Sequence, residues 1–339
     1  MYPPTGAIAD SFRLAVLNPG GRDPEQNYPM LAGSPEDSVA HPPVNFHAYA
    51  ACTGGIFYQD PSRISEPCIL MVVRRDLKHC LKVLKDLKEA GRCVAVTLKE
   101  SGLHQVGQLL ADASNMERFR EICRLANGCI ASTQELTGLY ASAGAKHVRF
   151  IPTPYPVGER SWNFSIPPEM RAGIFIGTRE WDTPTRNHAA ALLLAARIGG
   201  PVTVINEDGR SGRKRIEATG LTQPQIIDGR LPYTEYLRLV ARHRIVLQLD
   251  RSSVPGQVAG DALLCGIPCV GGDGAIERVA FPDTCGYGRR ISELGSIAGD
   301  LLAVEVAYST VIARSKEIAK ERLSFATIAG ELETFFAEL

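Results

Sequence analysis

Short apolar runs rich in β-branched residues alternate with stretches of helical periodicity along nearly the whole chain. In the first half the runs are "RLAVL" (13–17), "GIFY" (55–58), "CILMVV" (68–73), "CVAVTL" (93–98), "GCIAST" (128–133) and "HVRFIP" (147–152), with helical patterns at 44–52, 75–90, 117–127 and 134–143. Runs that are apolar throughout, rather than alternately apolar and polar, predict parallel strands buried on both faces. Interleaved with helices, they predict a doubly wound sheet. The pattern breaks at "PTPYPVGERSWNFSIPPEM" (152–170), where five prolines favour an extended connection. It resumes with "GIFIGT" (173–178), "PVTVIN" (201–206), "PQIIDG" (224–229), "RIVLQLD" (244–250) and "IPCVGG" (267–272), with helices at 187–198, 233–242 and 257–265 and a helical tail from 296. The expected fold class is α/β: two tandem doubly wound, Rossmann-like domains, with ligands in the cleft beyond the C-terminal ends of the strands.

Composition narrows the function classes. A length of 339 residues suits two domains, and a hydrophobic content of 45% supplies two cores. Lys and Arg total 37 and Asp and Glu total 37, so the basic surplus of a general nucleic-acid binder is missing. No run of apolar residues is long enough for a transmembrane helix, and "MYPPTGAIADSFRLAVLNPGG" lacks the charged-then-apolar order of a secretion signal. The nine cysteines show no CxxC or metal-ligand spacing, which predicts buried thiols in a reducing compartment, the cytoplasm, and no bound metal. In "RRDLKHCLKVLKDLKEAG" (74–91), Leu77, Val83, Leu84 and Leu87 oppose Arg75, Lys78, Lys82 and Lys85. That basic face leaves open a peripheral membrane contact beside the plainer reading of a solvated surface.

The segment "SSVPGQVAGDALLCGIPCVGGDGAIERV" (252–279) places one glycine loop before an apolar helix and a second after a short buried strand. Together with "NGCIASTQELTGLYASAGAKHVRFIPTPYPV" (127–157), "GIFIGTREWDTPTRNHAAALLLAARI" (173–198) and "GRLPYTEYLRLVARHRIVLQLDRSS" (229–253), it resembles the GT-B class of glycosyltransferases, in particular their large retaining family. The resemblance covers roughly 127–339. It implies an acceptor-side domain over 1–153, a donor-binding domain over 154–322 and a helix at 323–339 that returns to the first domain. It also implies transfer of a sugar from a nucleotide-sugar donor to an acceptor hydroxyl, with retention and without metal or further cofactor; no Asp-x-Asp occurs in the chain. The acceptor would be a glycan, a lipid-linked molecule or a protein.

Site residues follow from the same comparison. Arg179 and Arg186 stand where basic phosphate contacts are expected, since a guanidinium can grip two phosphate oxygens. Gly272 and Gly274 would let the following helix offer free amides to the anion. Asp261, at a helix start, would accept both hydroxyls of a ribose or else cap the helix. Glu277 is placed for a sugar hydroxyl, against the alternative of a solvated first-turn glutamate. Gly20 and Gly21 would let backbone approach a ligand, unless their loop is an ordinary mobile one. His41, with His47 beside it, lies where some inverting GT-B enzymes keep the base that deprotonates the acceptor. The family carries two glutamates with seven residues between them; this chain has Ser253 and Asp261. Asp250 or Gln257 could stand in for the missing group. The substitution leaves open an inactive binding or assembly partner, and a nucleotide-sugar epimerase on the same scaffold.

Overall fold

A computed structural model describes residues 12–28, 35, 41–178 and 180–339. The first sheet holds β1 (Ala15–Leu17), β2 (Gln26–Asn27), β3 (Ile56–Tyr58), β4 (Cys68–Val73), β5 (Cys93–Leu98), β6 (Gly128–Ala131) and β7 (Val148–Phe150), in the order β2-β3-β1-β4-β5-β6-β7. The second holds β8 (Ile174–Thr178), β9 (Val202–Asn206), β10 (Gln225–Asp228), β11 (Ile245–Gln248) and β12 (Cys269–Gly271), in the order β10-β9-β8-β11-β12. All pairings are parallel except β2 with β3. The fold is the two-domain α/β arrangement expected, and each apolar run holds its strand. The reason is burial: β4 and β5 are shielded along both faces, so their side chains are apolar or thiols with the single exception of Thr97.

Three elements escape the apolar pattern. Strand β2 is a polar pair on the sheet edge, and helix Gly209–Glu217 buries only Gly212 and Ile216 behind a basic surface. The third, helix Leu103–Leu110, is short and follows β5 through a glycine.

In the second sheet the chain leaves β8 toward β9 and β10, then crosses back so that β11 lies on the other side of β8. The loops after β8 and β11 therefore diverge and leave a crevice at their C-terminal ends, the usual place for a ligand in such a sheet. Tyr155, in the connection, lies flat on Gly260, where a Cβ would stand 2.0 Å from its Cζ. Only glycine permits that approach. The Tyr155 hydroxyl donates to the Gln257 carbonyl at 3.3 Å, and its amide donates to Leu323 at 2.8 Å.

The last helix, Phe325–Ala337, starts at a Ser324 cap and buries Phe325, Ile328, Leu332, Phe335 and Phe336 in one cluster with Leu14, Val16 and Tyr49 of the first domain. Elsewhere the domains meet through the Leu103 amide on the Ser252 carbonyl (3.1 Å), Asn45 Nδ2 on Gln257 Oε1 (3.3 Å) and an Arg278–Glu135 ion pair (2.5 Å).

On helix Leu77–Glu89, Leu77, Val83, Leu84 and Leu87 face the core, while Lys82 pairs with Asp86 (2.6 Å) and Lys85 with Glu121 (2.7 Å), so the basic face is partly neutralised. Among the described residues no single helix is long and apolar enough to cross a membrane.

Candidate functional site

The crevice between β8 and β11 is stitched by polar contacts. Arg186 ends a short 3-10 turn and holds Glu180 Oε2 at 2.6 Å with one guanidinium nitrogen and the Asp250 carboxylate with another. Burial by itself lowers the Arg186 pKa, but the charges of Asp250 and Glu180 outweigh it and the net direction is upward. The Arg251 amide donates to Thr185 O at 2.8 Å, Thr185 and Ser252 hydroxyls meet at 2.8 Å, and Asn187 Nδ2 reaches Leu249 O at 2.9 Å. Asn187, Asp250 and Gly272 are among the walls of a cavity of about 170 Å³ here. A guanidinium open to phosphate was the expectation for Arg186; the structure gives it two carboxylates already. Its spacing from Asp250 could not show this, because only the sheet brings the two loops together. Arg179 lies outside the described residues.

The two glycine loops bind each other. Ala275 N–H donates to Val254 O (2.9 Å), Ile276 N–H to Pro255 O (3.1 Å) and Asp273 N–H to Asp250 O (3.1 Å). The first two amides of helix Ala275–Ala280 are thus spent, against the expectation that Gly272 and Gly274 free the helix start for an anion. Among the described residues no acceptor lies on the amides of Gln257, Val258 and Ala259; the first bond of helix Gln257–Cys265 is Gly260 N–H to Gly256 O at 3.1 Å.

Glu277 sits where the loops converge. Gly256, in the left-handed region with φ 95°, leaves space for its Oε2, which a Cβ there would approach to 2.0 Å; Gly272 and Gly274 press against the same carboxyl. Only 2% of Glu277 is exposed, which excludes the solvated alternative. Gln248 Nε2 donates to Oε1 at 2.6 Å, while buried Oε2 has no partner. Burial first, and then the charges of Asp250 and Asp273, push the carboxyl up to about 8, against its own amide and Gln248, which favour the anion.

A carboxyl whose folded pKa lies above its unfolded value contributes stability that is complete below about 4.5 and is lost as pH climbs through about 8. Urea unfolding of the wild type is therefore expected to show a loss of a few kcal/mol between pH 5 and pH 8.5, at roughly 1.4 kcal/mol per unit. Asp273, also raised by burial, adds in the same direction. The Glu277→Gln variant should be flatter over that range. An equal slope in both proteins would exclude Glu277 as the source.

Asp261 is not at the helix start. It lies a full turn inside helix Gln257–Cys265, is buried, and accepts a hydrogen bond from the Tyr233 hydroxyl at 2.5 Å. Neither a cap nor an open carboxylate describes it, because Gly256 occupies the cap position and Tyr233 covers the acid. A ribose reaching Asp261 would share it with that hydroxyl.

On the first domain, His41 stacks on His47 (centroids 3.8 Å apart) and His47 on Phe57 (3.7 Å). His41 Nδ1 lies 2.8 Å from the Pro42 carbonyl, which can only accept, so this nitrogen carries the proton and Nε2 keeps the lone pair. Burial lowers the His41 pKa, opposed by the Pro42 carbonyl and Asp23 and assisted by Arg230 and Lys99. Arg230 comes from the loop after β10, so His41 faces the second domain. His47 is more deeply buried, hydrogen-bonded through Nδ1 to Tyr28 at 2.9 Å, and pushed down to about 2 mainly by burial. Gly20 and Gly21 have neighbours from their own domain: the Gly20 carbonyl accepts from Arg74, and the Gly21 amide donates to Asn18 O at 2.9 Å. Gly20, Glu25, Gln59 and Arg63 are among the residues around a wide depression of about 520 Å³.

The structure thus gathers Arg186, Gly272, Gly274 and Glu277 at one place, with Asp261 on the adjoining helix and His41 across the cleft. Sequence reasoning misses Asp273, Gln248, Tyr233, Arg230 and the Asn45–Gln257 contact. Asp273 and Gln248 lie in or beside the glycine-loop segment, whereas Tyr233, Arg230 and Asn45 carry no such signal, and the partners of all are distant in the chain.

No family model matches the sequence, and no curated protein does. Solved structures do. The chain is similar to HepE of Anabaena, crystallised with UDP and glucose (15% identity, 81% of this chain and 78% of that one, TM-score 0.63). It is similar to a UDP-forming α,α-trehalose-phosphate synthase from Burkholderia xenovorans (12% identity, 80% and 74%, TM-score 0.60) and to apo OtsA (10% identity, 97% and 100%, TM-score 0.63). At such identities it is the backbone path that is shared: the chain has the two-Rossmann-domain GT-B fold.

Proposed function

We propose that this chain is a glycosyltransferase that moves a sugar from a nucleotide-sugar donor to an acceptor hydroxyl, with retention and without metal or further cofactor. The carrying observation is the convergence, at the switch point of the second sheet, of two interlocked glycine loops that leave the Gln257–Ala259 amides without carbonyl acceptors and a buried Glu277 carboxyl with an unpartnered oxygen. Amides at a helix start and nearby guanidinium groups suit a diphosphate. In this reading Arg179 and Arg186 add charge, Asp261 with Tyr233 takes the ribose, and Glu277, largely protonated near neutrality, donates to a sugar hydroxyl. His41, whose Nε2 is the unprotonated ring nitrogen, meets the acceptor. HepE, of the same fold, binds UDP and glucose, which makes a UDP-sugar the first donor to test.

Thermal melting against UDP, GDP, ADP, CMP and dTDP is the direct test. A ligand at a hundred times its Kd adds roughly 2.7 kcal/mol, and no shift with any nucleotide or nucleotide sugar would overturn the reading. Binding without sugar release, with or without acceptor, would instead favour the inactive partner that Ser253 suggests. Product analysis separates transfer from epimerisation, the anomeric configuration of the product separates retention from inversion, and turnover in EDTA tests independence from metal.

A further inference from the structure

We propose that Asp273 supplies, in this chain, the carboxylate that holds the transferred sugar, in place of the glutamate that position 253 lacks; the proposal rests on the donor-site reading above. Four carboxyls surround the glycine loops, and three are committed. Asp250 gives Oδ2 to Arg186 and Oδ1 to the Ser252 amide at 2.8 Å. Asp261 is buried against Tyr233, and Glu277, held by Gln248 and packed by Gly256 and Gly274, keeps its proton near neutrality, so it serves the sugar as a donor and leaves the part of an ionised acceptor to another group.

Asp273 differs. It is half-buried, so an oxygen can meet solvent or ligand, and it lies within electrostatic reach of Arg278 and of Glu135 on the first domain, which places it at the boundary of the cleft. Its Oδ1 accepts the Ser253 amide at 2.9 Å. Ser253 makes that bond from the left-handed region, φ 47°, a conformation that is unfavourable for a residue other than glycine. Backbone strain of this kind persists where the surroundings enforce it, and it gathers at ligand sites. Here the strained turn joins the backbone of position 253 to a carboxylate from the neighbouring loop, so the acid arrives from 273 rather than from the side chain of 253. Asp250 and Gln257, the substitutes considered from sequence, are engaged with Arg186 and Asn45. A carboxylate with one oxygen anchored and the other available accepts from a sugar hydroxyl and discriminates against a donor deoxygenated there, since the acid would then be left unpaired.

The test compares UDP binding with UDP-glucose turnover. Asp273→Asn keeps a carbonyl oxygen for the Ser253 amide and removes the charge. UDP affinity is expected to stay within about twofold, while kcat/KM for release of UDP from UDP-glucose falls by about tenfold or more, with Asp273→Glu recovering part of the loss. Wild-type turnover from Asp273→Asn, or equal losses in UDP binding and turnover, would overturn the role of Asp273 with the donor reading intact. Failure of the wild type to bind any nucleotide would overturn the donor reading itself. If the asparagine variant does not fold, Asp273→Glu carries the same comparison, and an unchanged ratio of turnover to UDP affinity would count against the proposal.

Discussion

Phe335→Ala is expected to lower stability by about 3–5 kcal/mol, and a chain ending at Leu323 is expected not to fold. Phe335 is buried in the first domain although it lies at the end of the chain. Its ring edge presses on Gly128 of β6, where a Cβ would stand 2.7 Å from Cζ, Arg149 lies over its face at 5.5 Å, and Phe336 meets it edge-on at 5.8 Å. Phe336 in turn packs on Phe12 before β1, and Glu338 holds Arg149 at 2.6 Å. Truncation also removes Phe325, Ile328, Leu332 and Phe336 from the same cluster. At about 1.5–3 kcal/mol for each buried side chain, the loss is comparable with the roughly 5–15 kcal/mol by which a domain is stable at all. Urea unfolding of the point variant and circular dichroism of the truncated chain check this. A point variant within 1 kcal/mol of wild type would mean that the helix is peripheral to the first domain.

Arg186→Ala is expected to destabilise the second domain by about 3 kcal/mol with no nucleotide present. Removing one partner of a buried ion pair strands the other, and here the stranded group is Asp250, of which 7% is exposed. Asp250 has the Ser252 amide as its remaining partner. The double variant Arg186→Ala, Asp250→Asn should recover part of the loss, because the pair is coupled. A second effect, weakening of nucleotide binding by about 1.5–3 kcal/mol, tests the phosphate role. Thermal melts with and without UDP separate the two. Unchanged stability with weakened UDP binding would show a guanidinium that serves the ligand alone, whereas the reverse would leave it purely structural.

The local pattern was sufficient for the strand–helix alternation, because a strand covered on both faces must be apolar throughout and a run of that kind is visible without a partner. It also carried the proline-rich connection and the two glycine loops. It could not show where the loops' hydrogen bonds go. Whether Ala275 and Ile276 offer amides to a ligand depends on Val254 and Pro255, about twenty positions earlier, and the parallel pairing of β11 with β12 decides it. The same pairing turns Glu277 from a first-turn surface residue into a buried acid and brings Asp273 to Ser253. Asp261 illustrates the reverse limit: its place in the helix is local, but its partner Tyr233 comes from the element before β11. Residue types and their spacing determined the elements and the neighbourhood of the site. Only the tertiary structure decided which carboxyls are committed and which amides remain free, since a buried polar atom is satisfied by whatever the fold places beside it.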